Sequence, residues 1–501
     1  MPTYLIGIDN GGTMTKAILF DTKGKEIGVA SRKTEMLFPH PDWTERNTDE
    51  MWRATAACIR ELITSTGINP ADIAGIAATG HGNGLYLVDE QGNPARNGII
   101  STDTRAKDYI DRWYSDGTFR KQLPKTMQSI WAGQPAAILA WMKDNEPETY
   151  KNFRWAFLCK DYICFRLTGE AWSEVTDMSG SSLMNTRDVC YDEEVLKNWG
   201  IGEIFSRLAP ICTSSDVRGH VTATAAGETG LVEGTPVVGG MMDIHAAAVA
   251  TGVLDDSRLC VIAGTWSINE YVSTKPVVSD DLFMTSLFCT PGTWLTTEAS
   301  PTSASNLEWF VTQFMGEERI DEAETGKSVF ECANELVGSI APDASHVIFV
   351  PFLYGSNVDA YAKASFIGMA GWHTKAHVLR AIYEGVAFCH RAHIEKLLKH
   401  GATPKTARIA GGAAKSKVWV QMFADVLQIP MESVSGTELS AIGAAIAAGV
   451  GTGHFDSFEM RSLVHVEHSC QPDLAKKAIY DEKYALYKAT IEALTPVWRK
   501  M

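Results

Sequence analysis

Two stretches, one in each half of the chain, share a pattern that limits what it can fold into. Each is an apolar strand that runs into a glycine-bearing polar turn and out into a second strand. The first is Tyr4–Ile8, then Asp9-Asn10-Gly11-Gly12-Thr13-Met14-Thr15-Lys16, then Ala17–Phe20. The second is Leu259–Ala263, then Gly264-Thr265-Trp266-Ser267, then Ile268–Val272. At 501 residues two or three domains are expected, and the two hairpins read as a short internal repeat. Successive amides in such a turn form an anion nest, with Thr13, Thr15 and Lys16 as further donors. Asp9, at the strand end, is placed to hold Mg²⁺ through water. A hairpin turn rich in Asn and Gly has the same composition without any ligand. A Walker A loop is excluded, because G-x-x-x-x-G-K-[ST] is absent.

Near mid-chain lies Gly234–Gly252, GTPVVGGMMDIHAAAVATG. It predicts a buried strand at Thr235–Val238, a tight Gly-Gly turn, and an alanine-rich helix opened by Asp243. An aspartate there is either a helix N-cap or a general base at the mouth of a cleft. A further strand, Arg408–Ala410, enters Gly411-Gly412-Ala413-Ala414-Lys415-Ser416 and the helix Val418–Leu427, an arrangement suited to a nucleotide. The strand Ile73–Ala78 ends in Thr79-Gly80-His81-Gly82-Asn83-Gly84, where His81 and Gly82 either meet a ligand hydroxyl or form an ordinary turn.

Helices are predicted over Thr48–Thr66, Pro135–Lys143, Lys160–Leu167, Thr374 to His400 and Ala441–Gly449, with a polar-faced one in the tail from Asp473. Asp103 and Arg105 read as a structural ion pair. His373 and His377 have zinc-like spacing, but H-T-K-A-H lacks the glutamate of H-E-x-x-H, so a metal site is rejected there. The net charge of -15 argues against nucleic acid, and an anionic ligand must be held by local amides and a metal. There is no membrane-length apolar run and no basic-then-apolar leader. Ten singly scattered cysteines read as reduced thiols of a cytoplasmic protein.

The segments GIDNGGTMTKAILF, GGMMD, IAGTWS and IAGGAAKS, in that order, resemble the FGGY family of carbohydrate kinases. ASFIGMAGWHTKAHVLRAIYE, Ala364 to Glu384, is similar to that family's C-terminal signature. The resemblance spans essentially the whole chain. It implies an α/β fold of two RNase H-like (actin/Hsp70/sugar-kinase, ASKHA) domains with an interdomain cleft. Residues 1–253 would form the sugar-binding domain and residues 254–501 the nucleotide-binding one. It implies ATP and Mg²⁺ as cofactors and Asp243 as general base and substrate contact. Asp9 would lie near the metal, and Gly11, Gly12, Thr13 and Lys16 would form the first phosphate turn. Gly264 and Thr265 would form the second turn, and Gly411 and Gly412 would lie beside the adenosine. His81 and Gly82 would contact the sugar.

Some positions depart from the family pattern. Ile138 stands where a lysine precedes the signature tryptophan, here Trp141, and Ile244 follows Asp243 in place of Asn or Gln. Tyr354-Gly355-Ser356-Asn357 lacks the usual Glu-Arg, and Gly80-His81 replaces the Arg-Glu of glycerol kinases. The texture is most similar to the L-xylulose kinase branch, which implies phosphorylation of a ketopentose at C5. Alternatives are a kinase for another ketose, erythritol or a sugar acid, or a non-catalytic actin/Hsp70-like ATPase switch. The expected partners are a small sugar and ATP, with no nucleic acid and no membrane. A homodimer is compatible with the chain, whose sequence does not set its oligomeric state.

Overall fold

The computed structural model describes residues 3–434, 436, 438–460 and 464–501. The chain divides into two compact units. The first is Met1–Leu254 with Val272–Thr296 and Glu438–Val464, and the second is Asp255–Tyr271, Thr297–Thr437 and His465–Met501.

In the first unit β1 (Tyr4–Asn10), β2 (Met14–Asp21) and β3 (Glu26–Lys33) form consecutive antiparallel hairpins. The helix α1 (Thr48–Thr66) follows. It starts at Asn47, whose side chain accepts from the Glu50 N–H, and stops at Gly67 with φ of 66°. Next come β4 (Ile73–Gly80), α2 (Cys159–Thr168), β5 (Val217–His220), β6 (Pro236–Val238) and α3 (Asp243–Ala250). The sheet order is β5-β6-β4-β1-β2-β3, with β4 parallel to β1 and β6 parallel to β4. Ile6, Ile8, Leu19, Trp52, Ile76 and Tyr162 belong to its continuous buried core. The parallel strands carry unbroken apolar runs because both faces are covered.

The second unit contains β7 (Arg258–Ala263), the greater part of β8 (Ser267–Ser273) and of β9 (Trp294–Ser300), α4 (Lys375–Lys399), β10 (Thr406–Ala410), α5 (Lys417–Leu427) and β11 (Met431–Val434). The helix α6 (Leu439–Gly451) falls in the first unit, and β12 (Val466–Cys470) and α7 (Lys477–Trp498) complete the second. Its strands β9-β8-β7-β10 repeat the order β3-β2-β1-β4 of the first sheet, and the next two, β11 and β12, follow in the chain order opposite to β6 and β5. A central strand is antiparallel to one hairpin partner and parallel to the next strand, as in β1 with β2 and β4. The short hairpin repeat is thus the visible part of a repeated RNase H-like architecture.

Inside the first unit α6 lies against β1 and α3. A Cβ at Gly443 would sit 2.2 Å from the Ala246 carbonyl, so only glycine allows that approach. The small-residue run read as a tightly packed helix is therefore what backs the helix carrying Asp243. Asp103 and Arg105 form the expected buried ion pair, at 2.9 Å. His373 and His377 serve local structure: His377 completes the capping box of α4 with Thr374, and His373 Nδ1 accepts from the Ala370 N–H at 2.8 Å. All ten cysteines are free thiols, most of them buried. Among the described residues no helix is long and apolar enough to cross a membrane.

Candidate active site

Asp243 is the first residue of α3, and the cap position is Met242, whose side chain makes no capping bond. The Asp243 carboxylate accepts from the adjacent Ile244 N–H at 2.8 Å. Asp243 thus holds one first-turn amide from inside the helix, not from the cap position. Burial first, and then the charge of Asp9, push its carboxyl up to about 8. A helix N-terminus by itself would favour the ionised carboxylate. An eight-residue helix and one neighbouring amide are outweighed by lost water and a second carboxylate.

Asp9 lies on β1 opposite Lys16 on β2 and level with Thr79 on β4. Burial pushes its carboxyl up to about 6, against the pull of Lys16 and Arg46. The tip between the strands is Gly11-Gly12-Thr13. Gly11 O accepts from Arg46 at 2.9 Å, and a Cβ at Gly12 would meet nothing within 4 Å. Packing does not require Gly12, which leaves its backbone open to a ligand. Thr15, expected to face the same ligand, is instead buried and donates to Asn10 Oδ1 at 2.8 Å. Lys16 is paired at 2.5 Å with Glu438.

His81 is joined to this hairpin by its own amide, which donates to Asn10 O at 3.0 Å. Its ring is buried, with Nε2 2.8 Å from the Tyr86 hydroxyl and Nδ1 3.3 Å from Gly82 O. Burial and the neighbouring Arg46 push it down to about 3, so it is neutral. A Cβ at Gly82 would lie 1.9 Å from the Met242 methyl, which seats this loop against the turn that carries Asp243. The first unit thus gathers Asp9, Gly11–Thr13, Lys16, His81, Gly82 and Asp243 around one end of its sheet.

The second unit makes its own gathering. Gly264 O and Thr265 O accept from the Ser305 amide at 3.3 Å and its hydroxyl at 3.1 Å. Gly411, with φ of 86°, sits where a Cβ would be 2.7 Å from Ala263 O. Gly412 opens the short turn Gly412–Lys415, and Ser416 then caps α5 by accepting from the Trp419 N–H at 3.1 Å. Behind Ser267 runs a buried neutral chain. His393 Nδ1 lies 3.2 Å from the Ser267 hydroxyl and accepts from Asn269 at 3.1 Å, and Asn269 Oδ1 meets His390 at 2.8 Å. Burial pushes His390 down to about 3, and lowers His393 as well.

Two carboxylates that share a desolvated site, each raised partly by acidic neighbours, have the donor chemistry of a hard cation that keeps its water. Among the described residues no three His, Cys, Asp or Glu side chains form a metal cage. The sequence did not single out Arg46, Glu438, Glu174 or Thr176. Each acts across a long chain separation and carries no local motif.

Residues 4–250 match the N-terminal domain, and residues 259–452 the C-terminal domain, of the FGGY family of carbohydrate kinases. The chain is 38% identical over 499 residues to an L-xylulose/3-keto-L-gulonate kinase of Escherichia coli, covering 99% of this chain and 98% of that protein. It is 37% identical to a probable L-xylulose kinase of Pasteurella multocida, covering 98% and 99%. A solved xylulose kinase of Rhodospirillum rubrum superposes with a TM-score of 0.88 at 27% identity, covering 99% of this chain and all of that one. With the repeated sheet and these full-length matches, the chain belongs to the FGGY family of carbohydrate kinases.

Proposed function

We propose that the chain transfers the γ-phosphoryl group of ATP to the terminal C5 hydroxyl of an open-chain ketopentose, with L-xylulose the first candidate. The observation that carries the reading is Asp243, a carboxyl pushed up to about 8 beside Asp9 at one end of the first sheet. A base of that strength is matched to an alcohol proton near neutral pH better than an ordinary carboxylate. The activities in the names of the Escherichia coli and Pasteurella multocida relatives support the sugar class.

In the proposed reaction the C5 oxygen attacks the γ-phosphorus in line, its proton passes to the Asp243 carboxylate, and the bond to the ADP oxygen breaks. Gly11, Gly12 and Thr13 offer backbone and hydroxyl donors to the phosphates, and Lys16 supplies charge by sharing or leaving Glu438. Gly264 and Thr265 form the second phosphate turn, with Gly411 and Gly412 beside the adenosine. His81, neutral and held through Nε2 by Tyr86 and through Nδ1 by Gly82 O, would line the sugar end of the site together with Gly82. Asp9, through water and beside Asp243, would hold Mg²⁺, which when bound neutralises phosphate charge. A cation held there would also favour the ionised form of the Asp243 carboxyl.

An ADP-release screen over pentuloses, polyols, aldonates and ketoaldonates tests the substrate. L-xylulose should lead, or share the lead with 3-keto-L-gulonate, the second sugar in the Escherichia coli relative's name. Glycerol or gluconate exceeding every pentulose by about tenfold in kcat/KM, about 1.4 kcal/mol, would overturn the assignment.

A further inference from the structure

Beneath the turn Gly239–Met242 lies a fully buried group of five charges. Lys160 Nζ is 3.1 Å from Asp161 and 3.3 Å from both Glu174 and Asp177, and Arg218 meets Asp161 at 2.8 Å. Removing one partner of such a group leaves a buried charge uncompensated, so a group like this is kept only if it is fully built. One member, Glu174, is connected directly to the turn. Its Oε1 accepts from the Ser214 hydroxyl at 2.7 Å, and its Oε2 accepts from the Thr176 hydroxyl at 2.7 Å.

Those two residues are the struts of the turn. Ser214 O accepts from the Gly240 N–H at 3.0 Å, and Thr176 Oγ1 accepts from the Met242 N–H at 3.0 Å. A hydroxyl has one proton, and that of Thr176 is given to the Glu174 carboxylate. Its lone pair is thereby turned to Met242. Arg218 adds a bond to Gly239 O at 3.1 Å. Gly240, with φ of 73° and a would-be Cβ 1.9 Å from Ala78 O, admits no side chain. The last of these holds, on the Met242 amide, lies one residue before Asp243, whose side chain accepts from the neighbouring Ile244 amide. The direction of the carboxylate is set by the backbone under it.

We infer that Thr176, oriented by Glu174, is a positioning residue for phosphoryl transfer: it fixes the Met242 amide and so aims the Asp243 carboxylate. This rests on the role proposed for Asp243. Thr176→Val keeps the shape and removes the acceptor, and should lower kcat about ten- to a hundredfold, the scale of a small misplacement of a reacting group. The KM for ATP should stay within twofold (on the order of experimental scatter). Thr176→Ser keeps the hydroxyl and should restore kcat to within about threefold.

In an Asp243→Asn background Thr176→Val should cost nothing more, because residues acting as one unit are not additive. Wild-type kcat in Thr176→Val overturns the inference, as does a loss that Ser does not restore. If Asp243→Asn is itself active and the Thr176→Val loss persists in it, the reading of Asp243 fails instead. Should Thr176→Val not fold, Thr176→Ala removes the same hydroxyl without the branched side chain and tests the inference in its place. A loss of about threefold or more in kcat at unchanged ATP KM supports the inference, and wild-type kcat contradicts it.

Discussion

The two glycine hairpins have the same strand order behind them and opposite electrostatics. In the first unit the hairpin carries Asp9 at one strand end and Lys16 opposite, with Glu438 and buried Arg46 completing the set. In the second unit Gly264-Thr265 is backed by Ser267, Asn269, His390 and His393, with both imidazoles driven neutral by burial. The same backbone device thus serves two tasks. One hairpin concentrates charge next to the carboxylate proposed as base, and the other offers shape and neutral donors. A repeated fold has kept the turn in both copies, while the acid and lysine facing each other across the hairpin, Asp9 and Lys16, stand in one.

The sharpest way to break this comparison is to alter matched positions. Asp9→Asn should reduce kcat about a hundredfold or more, the scale seen when a preorganised electrostatic group is removed. Thr265→Val removes one neutral donor and should cost about tenfold or less. Steady-state ADP release at saturating ATP and sugar compares them, and an equal or reversed order would erase the distinction.

Much of the architecture was legible because it rests on local pattern. The helix over Thr48–Thr66 is found at those limits, and the hairpin strands, β4 and α5 fall where apolar runs meet glycine turns. The strand before Asp243 runs Pro236–Val238, close to its expected span. The chemistry of the site was only half legible. That Asp243 follows a Gly-Gly turn is a local fact, but its acidity depends on burial and on Asp9, far away in the chain. Thr15 looked like another phosphate donor, and only the fold shows its hydroxyl committed to Asn10. Thr176 reaches Met242 across 66 residues, and nothing around Thr176 in the sequence announces it. That Val272–Thr296 and Glu438–Val464 pack with the first unit likewise has no local signature.

A smaller effect sharpens the same contrast through stability. Burial raises Asp9 to about 6, Asp177 to about 7 and Asp243 to about 8, all above the roughly 4 of an unfolded aspartate. Folding of the unliganded protein therefore takes up protons between those limits. Through these groups its stability should fall as pH rises from about 4 to about 8, offset below about 7 by the buried histidines, whose lowered values act in the opposite sense and leave the fall plainest above that. A loss of a few degrees in melting temperature is expected, about 2–4 °C per kcal/mol for larger domains. Asp9→Asn should flatten the slope, and Thr265→Val should leave it as in the wild type. Identical slopes in all three proteins would remove the charge asymmetry from the account.

The central claim is that Asp243 takes the proton, and Asp243→Asn tests it most directly. Asparagine can still accept from the Ile244 amide through its Oδ1, and it relieves the repulsion with Asp9, so the fold should be no less stable. What it loses is the proton acceptor, whose removal typically costs about two to four orders of magnitude. The account predicts a kcat lowered at least about a hundredfold, with ATP affinity near wild type and a melting temperature at pH 8 equal or higher. A variant that turns over sugar near the wild-type rate would contradict it and leave the reaction without its base.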